Sequence, residues 1–309
     1  MTTTIDELLK RQAEYRARQE MIPFDGSIEV KEINGERYLY ARKREGGKNK
    51  SIYIDVYSDE RYELLVKQAS ELREIKKELR KIEKELAELG YTEEELSPRV
   101  LLNIDFARAN LKTSIYDQAV LEGIATTFPQ TVDIIDNGVV NGVRAQDVQK
   151  ILNLKHAWEF ILDKNVLFAE TNYDILCRIA RMINEGFYEY GGRIRSVPVA
   201  IGGTSYVPPL PIEPDVKDAI KGILKSDMSE VDKAITLCLY CMKTQIFIDG
   251  NKRAAIIFAN HLMVKKGEGL LIVPEDRVSE FKNLLVSYYE GSDDKEITEF
   301  FKESCWRKF

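Results

Sequence analysis

The sequence predicts a mainly α protein: a helical bundle carrying one β-hairpin, preceded by a small antiparallel β-meander and a long charged helix. Three observations support this. Apolar residues recur at helical spacing through most of the chain after Pro98. A stretch over residues 27–56 turns instead to β-branched and aromatic residues broken by Asn34-Gly35 and Gly46-Gly47. Between them, Asp59 to Leu89 carries dense charge around a narrow apolar stripe.

Thr4-Ile5-Asp6-Glu7 has the form of a capping box, so a short helix is expected to about Glu20. Ile28–Ile33, Arg37–Arg44 and Ser51–Val56 read as three strands of a meander. This sheet carries Lys31, Arg37, Arg42, Lys43, Arg44, Lys48 and Lys50. One reading is a wing that contacts nucleic acid or an acidic partner. The other, favoured because no aromatic stacking platform is evident in the sequence, is an edge-rich sheet kept soluble by cationic side chains.

In the charged helix Leu65, Leu72, Ile75, Leu79, Ile82, Leu86 and Leu89 alternate spacings of three and four from Leu72 onward, a heptad seam. Such a stripe pairs with its own meander, a neighbouring helix or a second copy of the chain. Gly90 is expected to end the helix and Thr92-Glu93-Glu94-Glu95 to cap the next one. An accessory module over 1–97 and a second domain over 98–309 follow. In the second, helices are expected over 100–126, Asn153–Leu162, Tyr173–Ile183, Pro214–Leu224, Ser229–Lys243, Lys252–Lys266, Glu275–Tyr289 and Asp294–Cys305. A hairpin is expected around Gly202-Gly203, kept at an edge by flanking prolines.

The chain of 309 residues is long enough for a full core plus an accessory module. Its net charge of −6 argues against bulk affinity for nucleic acid. Cys238 and Cys241 form a C-x-x-C spacing, but no second pair or nearby histidine completes a metal site, so the four cysteines are read as core thiols. The N-terminus lacks a signal-peptide pattern and no run reaches membrane-spanning length, so a cytoplasmic protein is expected.

The chemistry concentrates in Gln245-Ile246-Phe247-Ile248-Asp249-Gly250-Asn251-Lys252-Arg253, a polar loop between two apolar helical runs. A loop that opens a helix presents unpaired N–H groups and the positive end of the helix dipole. Lys252 and Arg253 add charge for phosphate, the arginine with bidentate geometry. Asp249 could hold Mg²⁺, which binds one or two carboxylates plus substrate phosphates. The residues alone therefore describe a phosphate site.

These nine residues also resemble the signature of the Fic family, His-x-Phe-x-Asp/Glu-Gly-Asn-Gly/Lys-Arg. Gln245 departs from it, standing where the family has the histidine that deprotonates the target hydroxyl. Gly192 to Arg195 and Tyr206-Val207-Pro208-Pro209 are similar to the family's flap, which aligns a target protein by strand addition. Arg195, Ile201, Gly202, Gly203, Thr204 and Tyr206 would then meet the target. Leu121-Glu122-Gly123, within a segment near 111–127, resembles the family's inhibitory helix. Gln118 stands there in place of Ser or Thr, and Ile256 where the glutamate's arginine partner is expected, so Glu122 is read either as inhibitory or as a structural relic bound to Arg253 itself.

The resemblance implies a Fic-type bundle that uses ATP and Mg²⁺ to transfer AMP to Ser, Thr or Tyr of a protein. Gln245, Asp249, Asn251 and Arg253 would occupy the catalytic positions, and Gly250, Asn251, Lys252 and Arg253 would bind the nucleotide. A glutamine amide has no basic site near neutral pH, so AMP transfer is expected to be impaired. Lys252 is shared with the Doc branch, which transfers phosphate, and leaves altered transferase chemistry as an alternative. A bacterial toxin–antitoxin-like or regulatory role, or a partner-binding role through the N-terminal region, is the third. Neither histidine, His156 nor His261, is placed to replace the missing base.

Overall fold

The computed structural model describes residues 4–45, 48–89, 91, 96–138 and 141–309. The chain divides into two compact units, Met1–Glu94 and Glu95–Phe309.

The first unit opens with helix α1, Ile5–Glu20, and both bonds of the expected capping box are present between Thr4 and Glu7. Strands β1 (Ser27–Ile33), β2 (Glu36–Glu45) and β3 (Lys48–Val56) form an antiparallel sheet in the order β1-β2-β3. Asn34 and Gly35, at φ 54° and 83°, make the tight β1–β2 turn with the two positive φ values that a primed hairpin turn requires. The turn expected at Gly46-Gly47 lies outside the described residues. Leu39 and Ala41 are buried on one sheet face, whereas on the other Tyr53 meets Tyr40 edge to face and Tyr38 at a tilt.

Helix α2, Asp59–Glu88, buries Leu65, Leu72, Ile75, Leu79, Ile82 and Leu86 of the stripe read as a heptad seam, whereas Leu89 lies past the helix end and is exposed. Within the unit α2 packs on α1 and β1, and the pairs Arg11–Glu78 and Arg16–Glu83 flank the α1 contact. The stripe is thus already covered inside one chain. The expected stop at Gly90 and the capping box at 92–95 lie outside the described residues.

The second unit is helical. The run expected over 100–126 is two helices, α3 (Pro98–Ala109) and α4 (Leu111–Leu121), because Asn110 leaves helical geometry and bonds back to the Phe106 carbonyl. Helix α5, Phe128–Asn137, was not expected, although Thr127 and Gln130 make a complete capping box before it. There follow α6 (Ala145–Ile161), α7 (Lys164–Phe168), α8 (Tyr173–Ile183), α9 (Glu213–Lys225), α10 (Glu230–Thr244) and α11 (Asn251–Lys266). The chain ends with β4 (Leu270–Leu271), a 3₁₀ turn at Glu275–Arg277, α12 (Val278–Tyr289), α13 (Lys295–Phe300), a π turn at Phe301–Cys305 and β5 (Trp306–Arg307), which pairs antiparallel with β4.

Helix α11 is the axis of this unit, buried from Arg253 through Val264 and packed by α10, α8, α6, α3 and α7. A helix buried on every side sits in the middle of a bundle. The cysteines are free, with Cys238, Cys241 and Cys305 buried in the core. Among the described residues no helix is long and apolar enough to cross a membrane.

The 195–212 segment turns at Gly202-Gly203 as expected, but no strand ladder forms along it. Pro198, Pro208 and Pro209 remove ladder donors, and carbonyls on both arms bond to the Arg195 guanidinium instead.

Candidate active site

Helix α10 ends where Gln245 adopts φ 49° and ψ 62°, a left-handed geometry uncommon outside glycine. Ile246 and Phe247 then plunge into the core. The loop is stapled by Asn251, whose Oδ1 accepts from the Phe247 N–H at 2.9 Å while its Nδ2 donates to the Phe247 carbonyl at 2.8 Å. The same Nδ2 donates to Gln245 Oε1 at 3.1 Å, and Gln245 Nε2 donates to the Met242 carbonyl. Both functional ends of the Gln245 side chain are therefore engaged in holding the turn.

Gly250 opens α11 at φ 74°. A β-carbon there would lie 2.6 Å from Ile183 Cγ2 and 3.4 Å from Asn184 Oδ1, so only glycine fits. Asn184 itself reaches the loop, its Nδ2 donating to the carbonyls of Asp249, Gly191 and Ala180. The backbone passes so close at Gly191 that a side chain there would collide with Asn184.

Arg253 is buried in the first turn of α11. Its Nη2 donates to Asp249 Oδ2 at 2.9 Å, and its Nε lies 3.5 Å from Glu122 Oε2. Lys252 Nζ lies 3.6 Å from the other Glu122 oxygen. Glu122 caps α4 immediately before Gly123, which takes φ 73°. Two cations are thus matched by two carboxylates. Ile256, at the position expected for a further arginine, is a buried core residue. Gln118 is buried too, its Nε2 donating to the Arg253 carbonyl and its Oε1 accepting from Trp158 Nε1. It fixes α4 to the first turn of α11, and with it the reach of Glu122.

Arg195 departs from its expected place on the target-facing flap. It is buried, and its guanidinium donates to the carbonyls of Gln245 at 2.6 Å, Val197 at 2.9 Å, Pro208 at 3.3 Å and Pro209 at 2.5 Å. It ties both arms of the flap to the loop. Gly202 and Gly203 form the open tip of the turn, where an added β-carbon would meet nothing within 4 Å, and Ile201 is half-buried beside them. Thr204 Oγ1, Ser205 Oγ and the Ser205 N–H all donate to Glu290 Oε1. Tyr206 stacks on Tyr289, with ring centroids 6.0 Å apart.

Asn184, Tyr289 and Glu290 belong to this constellation and were missed in the sequence, as were the bonds by which Gln118 joins it. Asn184 sits at the end of a recognisable helix, where an amide is an ordinary terminator, and nothing marks Tyr289-Glu290 as a partner of the flap. The Tyr289 hydroxyl approaches the Gln245 side chain without forming a hydrogen bond of good geometry, and burial holds its pKa well above the ordinary tyrosine value. Tyr289 Oη, Glu122 Oε1, Arg253 Nε and Asn184 Oδ1 are all buried without a hydrogen-bond partner. Beside the loop opens a cavity of about 390 Å³ lined by Tyr188, Tyr190, Arg193, Val197 and Ile248.

The histidines stand apart. His261 is fully buried along α11, bonded to Thr171 Oγ1 and the Val166 carbonyl, and burial pulls its pKa down to about 4. His156 is pulled down to about 4 by the same cause. Among the described residues no cluster of three or more His, Cys, Asp or Glu could hold a metal by itself.

Residues 170–263 match the Fic/DOC family profile, and residues 2–63 match a domain of unknown function, DUF6788. The chain is similar to the protein adenylyltransferase Fic of Drosophila willistoni, 28% identical over 184 residues. That match covers 57% of this chain and 36% of the fly protein, so the chain spans little more than a third of that relative's length. Among solved structures, Fic-1 (residues 134–508) from C. elegans superposes with a TM-score of 0.55 at 20% identity, covering 79% of this chain and 74% of that one. A Fic domain containing signaling protein from Bacteroides thetaiotaomicron gives 0.52 at 20% identity, covering 62% and 75%. At these identities the two structures establish the fold alone.

Proposed function

We propose that this chain, which belongs to the Fic/DOC family, binds the phosphates of a nucleotide at the 249–253 turn, with Glu122 as their intramolecular competitor, and is impaired in AMP transfer to protein hydroxyls. One observation carries the reading: four buried polar atoms, of Tyr289, Glu122, Arg253 and Asn184, gather around a single helix N-terminus without a hydrogen-bond partner, although Glu122 and Arg253 keep longer ion-pair contacts. Buried polar groups are nearly always bonded, so a cluster of exceptions marks a place for a polar ligand. Arg253 Nε and Lys252 suit phosphate oxygens, while the glycine at 250 admits them close to the backbone. Asp249 is half-exposed and would share Mg²⁺ with those phosphates, the arrangement usual for this ion. Bound Mg-ATP supplies an electrophilic α-phosphorus and a diphosphate leaving group.

What the chain's own residues do there is positional and electrostatic. Asn251 and Asn184 hold the turn, Arg253 and Lys252 neutralise charge, and the flap from Ile201 to Tyr206 presents its edge to a protein target. Among the described residues no basic nitrogen is placed to take the proton of an attacking hydroxyl. Gln245 is spent on Met242 and Asn251, Tyr289 stays protonated, and both histidines belong to other parts of the bundle. A general base contributes roughly 10²–10⁴ in rate, and that factor is what the chain lacks.

Titration with Mg-ATP tests the binding half, and no binding below the millimolar range would refute it. Gln245→His tests the other half. The left-handed geometry at this position suits histidine better than most residues, so the variant is expected to gain transfer of label from [α-³²P]ATP to protein by about 10²–10⁴. Binding without such a gain would show that more than the base is missing. Phosphate transfer is the second reading, favoured by Lys252 against Glu122 in place of the glycine common in the signature. Label arriving from [γ-³²P]ATP but not from [α-³²P]ATP would establish it.

A further inference from the structure

Away from the loop, α9, α10, α11, the start of α8 and the segment before it line a pocket of about 620 Å³. Three helices send lysines into it: Lys217, Lys221 and Lys225 from α9, Lys233 from α10, and Lys265 and Lys266 from α11. Three carboxylates, Glu170, Asp174 and Glu230, share the lining. Ile220, Leu224 and Leu262 with the Tyr173 ring give the pocket an apolar component.

Much of this charge has a structural explanation. Lys265 donates to the last carbonyls of α7, at Leu167, Phe168 and Ala169. Lys233 and Lys266 share Glu230, and Lys217 pairs with Glu213. Lys221 and Lys225 do not fit this scheme. Neither has an ion pair or hydrogen bond among the described residues, and with Lys217 they stand at i, i+4 spacing on one face, where like charges repel. A chain with a net charge of −6 has thus left uncompensated cations facing a concavity.

We infer that this pocket binds a small polyphosphate-bearing organic molecule at a site separate from the 249–253 turn. The volume lies in the range of small-ligand sites, about 300–1,000 Å³. Lys221 and Lys225 would meet the anionic groups, and the apolar residues and Tyr173 would meet the organic part. An extended nucleic acid fits less well, since the chain's overall negative charge opposes it. Separation from the loop follows from the helices. The pocket uses the start of α10 and the end of α11, whereas the loop joins the end of α10 to the start of α11. The 16 residues of α11 put about 24 Å between them.

Inorganic tripolyphosphate, titrated calorimetrically into the full chain, is the test. Lys221→Gln combined with Lys225→Gln should weaken one class of sites about tenfold or more and leave any site sensitive to Arg253→Ala untouched. A control, Lys77→Gln with Lys84→Gln on α2, removes the same charge elsewhere and should change nothing. The inference is overturned if the wild-type and pocket-variant isotherms coincide, or if the control weakens binding equally. Because the two sites respond to different variants, loss of the Arg253-dependent signal alone would refute the loop reading and leave this one standing.

Discussion

Arg253 and Arg195 are both buried guanidinium groups beside the same loop, and their partners set them apart. Arg253 faces carboxylates, Asp249 and Glu122, with its Nε unbonded. Arg195 faces only main-chain carbonyls, of Gln245, Val197, Pro208 and Pro209. A side-chain carboxylate can be exchanged for a phosphate, another anion whose oxygens accept the guanidinium's forked hydrogen bonds. A carbonyl fixed in the backbone cannot be exchanged without moving the chain. One arginine is therefore available to a ligand while the other is part of the frame.

The largest expected effect tests the frame. Arg195→Ala leaves several carbonyls without donors and unties both arms of the flap, so unfolding free energy should fall by roughly 4 kcal/mol in chemical denaturation. Arg195→Lys should recover little of it, because an ammonium cannot fork to carbonyls on both arms. A loss below about 1 kcal/mol would mean the ties are incidental. The other arginine should show the opposite balance. Arg253→Ala is expected to weaken Mg-ATP binding about a hundredfold with a smaller loss of stability. If it destabilises as much as Arg195→Ala, the contrast between the two arginines fails.

The third effect is smaller and of opposite sign. With Glu122 against both Arg253 and Lys252, a phosphate must displace a carboxylate to enter. Glu122→Ala should therefore tighten Mg-ATP binding by about tenfold, measured by the same titration. Unchanged or weaker binding would make Glu122 a structural partner of the turn. Gln118→Ala, which loosens α4 from α11, should move the affinity in the same direction as Glu122→Ala.

How much of this was legible in the sequence follows from the range of each interaction. The loop could be read because its parts are neighbours: a glycine requiring positive φ, two cations and a carboxylate lie within five residues. The helices could be read because burial imprints their period. The break at Asn110 and the helix at Phe128–Asn137 could have been read from local capping signals. A Glu122–Arg253 pair could be read as one alternative because Ile256 occupies the position where a further arginine is expected. The role of Arg195 could not be read, because a buried arginine and a surface arginine share one letter until the carbonyls around them are placed. Gln118, Asn184, Tyr289 and Glu290 contact the site across long stretches of sequence and carry no periodic signal.

Glu290 gives the smallest effect and the sharpest test of how the flap is held. Its carboxylate accepts from the Ser205 N–H and from the Thr204 and Ser205 hydroxyls, and these bonds hold its pKa below the ordinary 4.5. A carboxyl group depressed in the folded state contributes stability that is fully present above its unfolded pKa and is lost as pH falls through the folded one. The flap tip should therefore stay latched at neutral pH and release only below 4.5, as the folded carboxylate takes up its proton. The Ser205 amide proton resonance reports this directly, since its hydrogen-bond acceptor is the titrating oxygen. Its midpoint should fall below 4.5, and Glu290→Ala should abolish the titration while leaving the Arg195 ties intact. A midpoint at or above 4.5 would mean that the latch does not form in solution and that Arg195 alone holds the flap to the loop.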